Sequence, residues 1–485
     1  MKKNLLLLFI FLNLCISGSI LSAISGSRPN IIFYLADDQS RVDHSTYGNN
    51  HVPTPVTDAF GKESLVFNKG FTGQGICAPS RSILLSGLYP VRNGCFINHT
   101  SIRAHVKTLP YYLKALGYDV ILAGKSHIKP FGQFPWTTYM PLKPKDKHNK
   151  GAIPIEAIDE YLGKSDKPFC IIIASDYPHG PYIKDGDFKA EDIKIHPGEH
   201  DSAGTRNYLR GYYESIAEKE REFDSVLKLI DAHELKDETV VFYADDHGRG
   251  RGKFTVYDVA LNVAFMVRWP SKIQPGESDA LISFVDFVPT ALELAGGSSD
   301  DAPYALDGKS LIPIFEGSTE AHHPYVYGVA HSQGIQNRHV FPQRSIHDGR
   351  YHYTYNFNSK EHLMKLNIAD PDDYYFLLHG AEKHPNQREE ELYDTYKDPF
   401  EMENLAYKNQ FKSIKKKLKV ELFKWMEGQD DFLSEDKAPP FFKVWGNGKL
   451  DLDLPSKRFK HALPEDKIGV LEAKKIEPHS AKLEL

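Results

Sequence analysis

The chain has 485 residues, enough for about three average domains or for one large domain with a smaller companion. A formal charge of −6 lacks the basic excess of a nucleic-acid or anionic-membrane surface, so no nucleic-acid partner is expected. With 41% hydrophobic and 26% charged residues, the composition excludes a disordered or collagen-like chain.

Lys2 and Lys3 precede an apolar run over 5–12 and then small residues up to Ala23. This pattern predicts a signal peptide over 1–25, an exported (secreted or periplasmic) protein and a mature charge of −8. No later stretch offers ~20 uninterrupted apolar residues, so no transmembrane segment is expected. Cys77, Cys95 and Cys170 remain, too few for a disulfide scaffold and odd in number, and a Cys95–Cys170 bond stays open.

Short β-branched or aromatic runs at 30–35, 119–123, 169–174, 239–243 and 263–267 alternate with helix-like stretches. Such alternation predicts an α/β fold with a mostly parallel central sheet sandwiched by helices. Residues 209–232 carry apolar positions near the 3.6 period and predict the longest helix. From about 336 the texture shifts to Tyr- and His-rich segments and an amphipathic stretch at 411–426. The expected organisation is a large α/β domain over 26–335 and a C-terminal α+β subdomain with a charged tail over 336–485.

In open α/β sheets, ligands sit beyond the carboxyl ends of the strands. The residues there are chemically loaded: Asp37 and Asp38 after the first run, Lys125 and His127 after the second, Asp176 and His179 after the third. Asp245, Asp246 and His247 follow the fourth. Asp37, Asp38 and Asp246 with His247 make an oxygen-rich donor set, which suits a hard divalent ion such as Ca²⁺ or Mg²⁺ better than Zn²⁺. Asp245 and Asp246 are indistinguishable by type, and register favours Asp246. Cys77-Ala78-Pro79-Ser80-Arg81 runs into a segment ending at Gly87. Pro79 suits a first helical turn and Gly87 a helix end, which sets Cys77 at a helix N-terminus where negative charge is favoured. A thiol there is reactive or modified. Gly248-Arg249-Gly250-Arg251-Gly252-Lys253 imitates a phosphate loop, but Phe254 stands where nucleotide binding needs Ser or Thr. Asn98-His99-Thr100 is a glycosylation sequon.

The Cys-x-Pro-Ser-Arg motif with its Leu-x-Gly continuation resembles the signature of formylglycine-dependent type I sulfatases of the alkaline-phosphatase-like superfamily. Arg28-Pro29-Asn30 with Asp37-Asp38-Gln39, Gly124-Lys125-Ser126-His127, Pro178-His179-Gly180-Pro181, Asp246-His247-Gly248 and Glu391-Leu392-Tyr393-Asp394 fall in the family's order. The spacing around the opening strand is similar to the branch holding sulfamidases and polysaccharide sulfatases.

The resemblance implies a sulfuric ester hydrolase acting on a sulfated carbohydrate. It implies that a formylglycine-generating or sulfatase-maturing enzyme converts Cys77 to formylglycine, whose hydrate is the nucleophile. Asp37, Asp38, Asp246, His247 and residue 77 would hold Ca²⁺, with Mg²⁺ the lesser choice. Arg81, Lys125 and Lys253 would clamp the sulfate; His179 would be the general acid and His127 the base, or the reverse. His247 replaces the Asn of some relatives, and Tyr257-Asp258-Val259-Ala260 replaces a more glycine-rich stretch. The rival readings are a phosphate or phosphonate ester hydrolase using the same site and a non-catalytic binder of sulfated glycans.

Overall fold

The computed structural model describes residues 28–434 apart from 50, 145–147, 149, 198, 250–252, 333–339, 358–388 and 432, together with 443–444 and 450–451. The expected signal peptide and the charged tail lie outside these residues, as does Arg251.

Nine strands form the main sheet: β1 (Asn30–Asp37), β2 (Leu65–Phe71), β3 (Asp119–Gly124), β4 (Thr138–Pro141), β5 (Phe169–Pro178), β6 (Thr239–Asp245), β7 (Asn262–Val263), β8 (Phe265–Arg268) and β9 (Gly276–Ser283). Their order is β4-β3-β5-β1-β6-β8-β2-β7, with β9 paired to β2. β1 lies at the centre, parallel to β5 and β6, with Ile32 opposite Ile171 on one side and Val241 on the other. Only β7 and β8 run against the rest. β1, β5 and β6 read as unbroken apolar runs because helices cover both faces of the sheet.

One covered face buries Phe33, Leu35, Phe242 and Phe265 against α2 (Cys77–Ser86) and α6 (Phe287–Leu294). The other buries Tyr34, Ile173 and Tyr243 against Phe60 of α1 (Pro55–Lys62) and Phe223 of α5 (Ala203–Ala232). Between α2 and α5 in sequence lie α3 (Leu109–Ala115) and α4 (Ile155–Leu162). The longest helix begins at Ala203, capped by Ser202 accepting from the Thr205 amide, one to two turns before apolar periodicity places it.

A second, antiparallel sheet follows: β10 (Val326–Ser332), β11 (Val340–His347), β12 (Tyr351–Asn356) and β13 (Glu390–Asp394). α7 (Lys412–Gly428) lays Leu418, Leu422 and Met426 on Ile346, Tyr353 and Leu392 of this sheet. The Tyr- and His-rich segment is therefore a strand, buried from His352 to Asn356.

Candidate active site

Four chain segments converge at the carboxyl ends of β1, β3, β5 and β6. Asp37 closes β1, and Asp38 turns the chain at φ +67°, a left-handed conformation that Asp tolerates. The Asp38 amide donates to Asp246 Oδ1 at 3.0 Å, while the Asp246 amide donates to the Ala36 carbonyl at 2.9 Å. β1 and β6 are thus locked together where both carry carboxylates. Gly124 ends β3 at φ +106°, and a Cβ there would be driven into the Ala174 carbonyl. Only glycine lets β3 turn so closely past β5, and the turn delivers Lys125.

Cys77 is the first residue of α2 and is 1% exposed. Its Sγ lies 3.2 Å from His247 Nε2, 3.6 Å from Lys253 Nζ, 3.7 Å from Asp37 Oδ1 and 4.0 Å from Asp38 Oδ1. Gly87 closes the helix at φ +68°. Arg81, one turn beyond Cys77, donates to Asp246 Oδ2 through Nε at 3.1 Å and a terminal nitrogen at 2.9 Å, and that nitrogen is 3.5 Å from Asp37. Lys125 pairs with the other oxygen of Asp37. Lys253 Nζ is 2.8 Å from both oxygens of Asp38. His179 Nε2 is 3.6 Å from Asp38, with the ring a third exposed.

Asp245 faces elsewhere: His44 Nε2 is 2.9 Å from its Oδ2, and Tyr243 and the Ala264 amide also donate to it. Consecutive residues at a strand end point to opposite faces, so only Asp246 reaches the cluster. His127 bonds His99, Nε2 to Nδ1 at 2.8 Å, and its own buried Nδ1 has no hydrogen-bond partner among the described residues.

The electrostatics follow from burial and neighbours. Burial works to raise Asp37 and Asp38, yet Lys125, His179 and Arg81 carry Asp37 well below the usual range. Lys253, His179 and His247 bring Asp38 to about 2. Burial also works to raise the Cys77 thiol, but Lys253 and His247 prevail and bring it down to about 7. Burial, then Lys125 and Arg81, push His127 down to about 3, so its ring is neutral at physiological pH.

Ligand atoms of Asp37, Asp38, Cys77 and His247 all lie within 4.8 Å of one another, close enough to share one ion. His247 Nδ1 bonds the Gly248 carbonyl at 2.8 Å, which turns Nε2 toward the ion's place. Two carboxylates with one imidazole suit a hard divalent cation.

Several participants are absent from the sequence-derived set. Asn98 Oδ1 accepts from the Ala78 amide at the start of α2, and Asn98 Nδ2 contacts His99 at 3.2 Å. At 3% exposed, Asn98 has no room for a glycan, so the sequon serves packing. Lys150 is fully buried and donates to the Asp176 carbonyl at 2.8 Å, and the Asp176 carboxylate is 3.3 Å from Lys125. Among the described residues Cys95 and Cys170 are free and buried, the latter inside β5, so no disulfide joins them.

A helix-borne cysteine ringed by cations, beside an oxygen-rich cation pocket at the strand ends of a mostly parallel sheet, defines an α/β hydrolase for anionic esters. A sulfatase family model matches residues 29–298, and an N-sulphoglucosamine sulphohydrolase C-terminal model matches 247–352. An ulvan-active sulfatase of Formosa agariphila is 44% identical over 462 residues, covering 93% of this chain and 92% of that one. Human N-sulphoglucosamine sulphohydrolase is 25% identical over 82% of this chain and 90% of its own. A solved 2-O GAG sulfatase superposes with a TM-score of 0.67 at 22% identity, covering 85% of this chain and 94% of that one. The chain belongs to the sulfatase family and is a sulfuric ester hydrolase.

Proposed function

We propose that the protein removes sulfate from a sulfated polysaccharide or its oligosaccharides, with formylglycine at position 77 as nucleophile and Ca²⁺ as the bound ion. The observation that carries the reading is Cys77 at the head of α2, held between Lys253, His247 and the Asp37–Asp38 pair. The 44% identity to an ulvan-active sulfatase makes ulvan the first polymer to test.

Asp37, Asp38, Asp246, His247 and residue 77 would hold the ion, which when bound lowers the proton affinity of the hydrated aldehyde and neutralises charge at the sulfate. One hydroxyl of the hydrate gives up its proton to solvent and attacks sulfur, and the bond from sulfur to the sugar oxygen breaks. His179 supplies the proton to that oxygen; its Nδ1 is engaged with the Gly180 carbonyl at 2.5 Å, which leaves Nε2 for the substrate. Arg81, Lys125 and Lys253 set fixed positive charge around the crowded anion. His127, whose buried Nδ1 has no hydrogen-bond partner among the described residues, takes the proton of the second hydroxyl; the carbonyl re-forms, sulfate leaves, and water restores the hydrate.

The apolar leader at 5–12 supports export before or during maturation by a formylglycine-generating or sulfatase-maturing enzyme. Two measurements test the reading. The tryptic peptide over 70–81 of natively made protein should lack the thiol and carry an aldehyde or its hydrate. The matured protein should release sulfate from ulvan, the Cys77→Ala form should release none, and full activity of that variant would overturn the mechanism. Sulfate and phosphate esters of one aryl alcohol, compared side by side, discriminate against the phosphoesterase reading.

A further inference from the structure

A cavity of about 570 Å³ opens between the main sheet and the C-terminal sheet, within the range of about 300–1,000 Å³ typical of small-molecule sites. It shares no residue with the cluster around Cys77. Ser40 separates the two: its hydroxyl accepts from the Arg249 amide at 2.9 Å and donates to the Val259 carbonyl at 3.4 Å, closing the wall.

The lining carries Asp258 and Asp279 beside Arg41, Lys69 and Arg350. Asp258 lies 3.6 Å from His347 and 3.4 Å from His352, its Oδ1 without a hydrogen-bond partner among the described residues, and Asp279 accepts from Asn68 at 3.2 Å. Arg350 is spent on Asp394 at 2.7 Å. Arg41 and Lys69 remain: among the described residues neither has a carboxylate within ion-pair distance. Arg41 lies 4.5 Å over the Tyr47 ring, and among the described residues its buried Nε has no hydrogen-bond partner, nor has Oδ1 of Asn262 on the same wall. Buried polar atoms and cations left without partners are costly, and an entering anion with hydroxyl groups would satisfy both kinds. Tyr396, 84% exposed, adds a flat amphipathic ring to the lining.

We propose that this cavity is a second saccharide subsite, which takes an anionic sugar unit of the polymer and sets its sulfate or carboxylate against Arg41 and Lys69. The proposal rests on the sulfated-glycan reading above, extending it from the reacting sulfate to a remote part of the chain. Such a site would hold the polymer without touching the bond that breaks, so it acts on affinity for long substrates alone.

The test uses full-length protein in two forms. In the Cys77→Ala form, which cannot turn over, binding to ulvan is measured by calorimetry with and without Lys69→Glu or Arg41→Gln. Each is expected to weaken binding about ten-fold or more, the scale of a lost hydrogen bond to a charged group, and Lys69→Arg to preserve it. In the matured enzyme, Lys69→Glu should raise KM on ulvan by the same factor and leave turnover of an aryl sulfate within about two-fold of wild type. Unchanged ulvan affinity in both variants would overturn the proposal. Displacement of an ulvan oligosaccharide by equimolar inorganic sulfate would overturn the saccharide assignment. If the matured enzyme releases sulfate from no ester while the variants still lose ulvan binding, the sulfatase mechanism fails and the subsite stands.

Discussion

The ammonium of Lys253 lies 2.8 Å from each carboxylate oxygen of Asp38 and 3.6 Å from the sulfur of Cys77. One cation therefore spans a carboxylate of the proposed ion site and the position of the proposed nucleophile. Both partners are buried, where a fixed charge acts far more strongly than in water.

Replacing Lys253 by Ala should lower kcat for sulfate release by about 10²–10³, the loss seen when one preorganised charge-stabilising group is removed. The effect should fall on kcat more than on KM, because the clamp matters most as charge crowds onto the transferring group. A change confined to KM, measured on an aryl sulfate, would mean that Lys253 only binds substrate.

Chelation should abolish sulfate release, and added Ca²⁺ should restore it more fully than Mg²⁺. His247→Ala removes one of the clustered donors and should weaken Ca²⁺ binding at least about ten-fold, read by calorimetry on the chelated protein. Equal Ca²⁺ affinity in the variant would exclude His247 from the ion's ligands.

Arg344 and Asp431 form a fully buried pair that fastens the segment after α7 to β11, with Nε and a terminal nitrogen donating at 2.5 and 3.0 Å. Arg344→Ala strands the carboxylate and should cost about 3–5 kcal/mol in urea unfolding. A loss below about 1 kcal/mol would show that water reaches Asp431 once the guanidinium is gone.

Burial pushes Glu222 up to about 7 from an ordinary 4.5, although Ser175 and the Ile153 amide donate to it. The folded protein keeps this proton at pH values where the unfolded chain has released it. Glu222 thus withdraws stability as pH rises from about 4.5 through about 7. Glu222→Gln abolishes that slope, so its melting temperature relative to wild type should climb between pH 5 and pH 8. A difference that is constant across this range would refute the assignment.

Much of the site is visible before folding because its signals are local. Pro79 and Gly87 bracket a helix whatever surrounds it, and the runs at 30–35, 119–123, 169–174 and 239–243 each end in polar residues that must emerge at one edge of a parallel sheet. Neither β2 nor β9 stands out in the sequence, since both are only half apolar and draw stability from pairing with each other at the sheet's far side. The antiparallel course of β8 is likewise invisible in its composition, because direction is set by the connection and not by the strand.

By itself the sequence determined the helix that presents Cys77, the acidic and basic residues at successive strand ends, and the family to which they belong. Register in the sequence favours Asp246, and the tertiary structure supplies the reason that it and not Asp245 faces Cys77: His44 claims Asp245 from 201 residues away, and Arg81 claims Asp246 from 165. The tertiary structure alone brought His99 to His127, Lys150 to Asp176, and Arg41 with Lys69 to one cavity wall. Helix caps and strand periodicity are decided within a few residues of chain, whereas these pairings depend on how distant segments close against one another, and no local pattern encodes that closure.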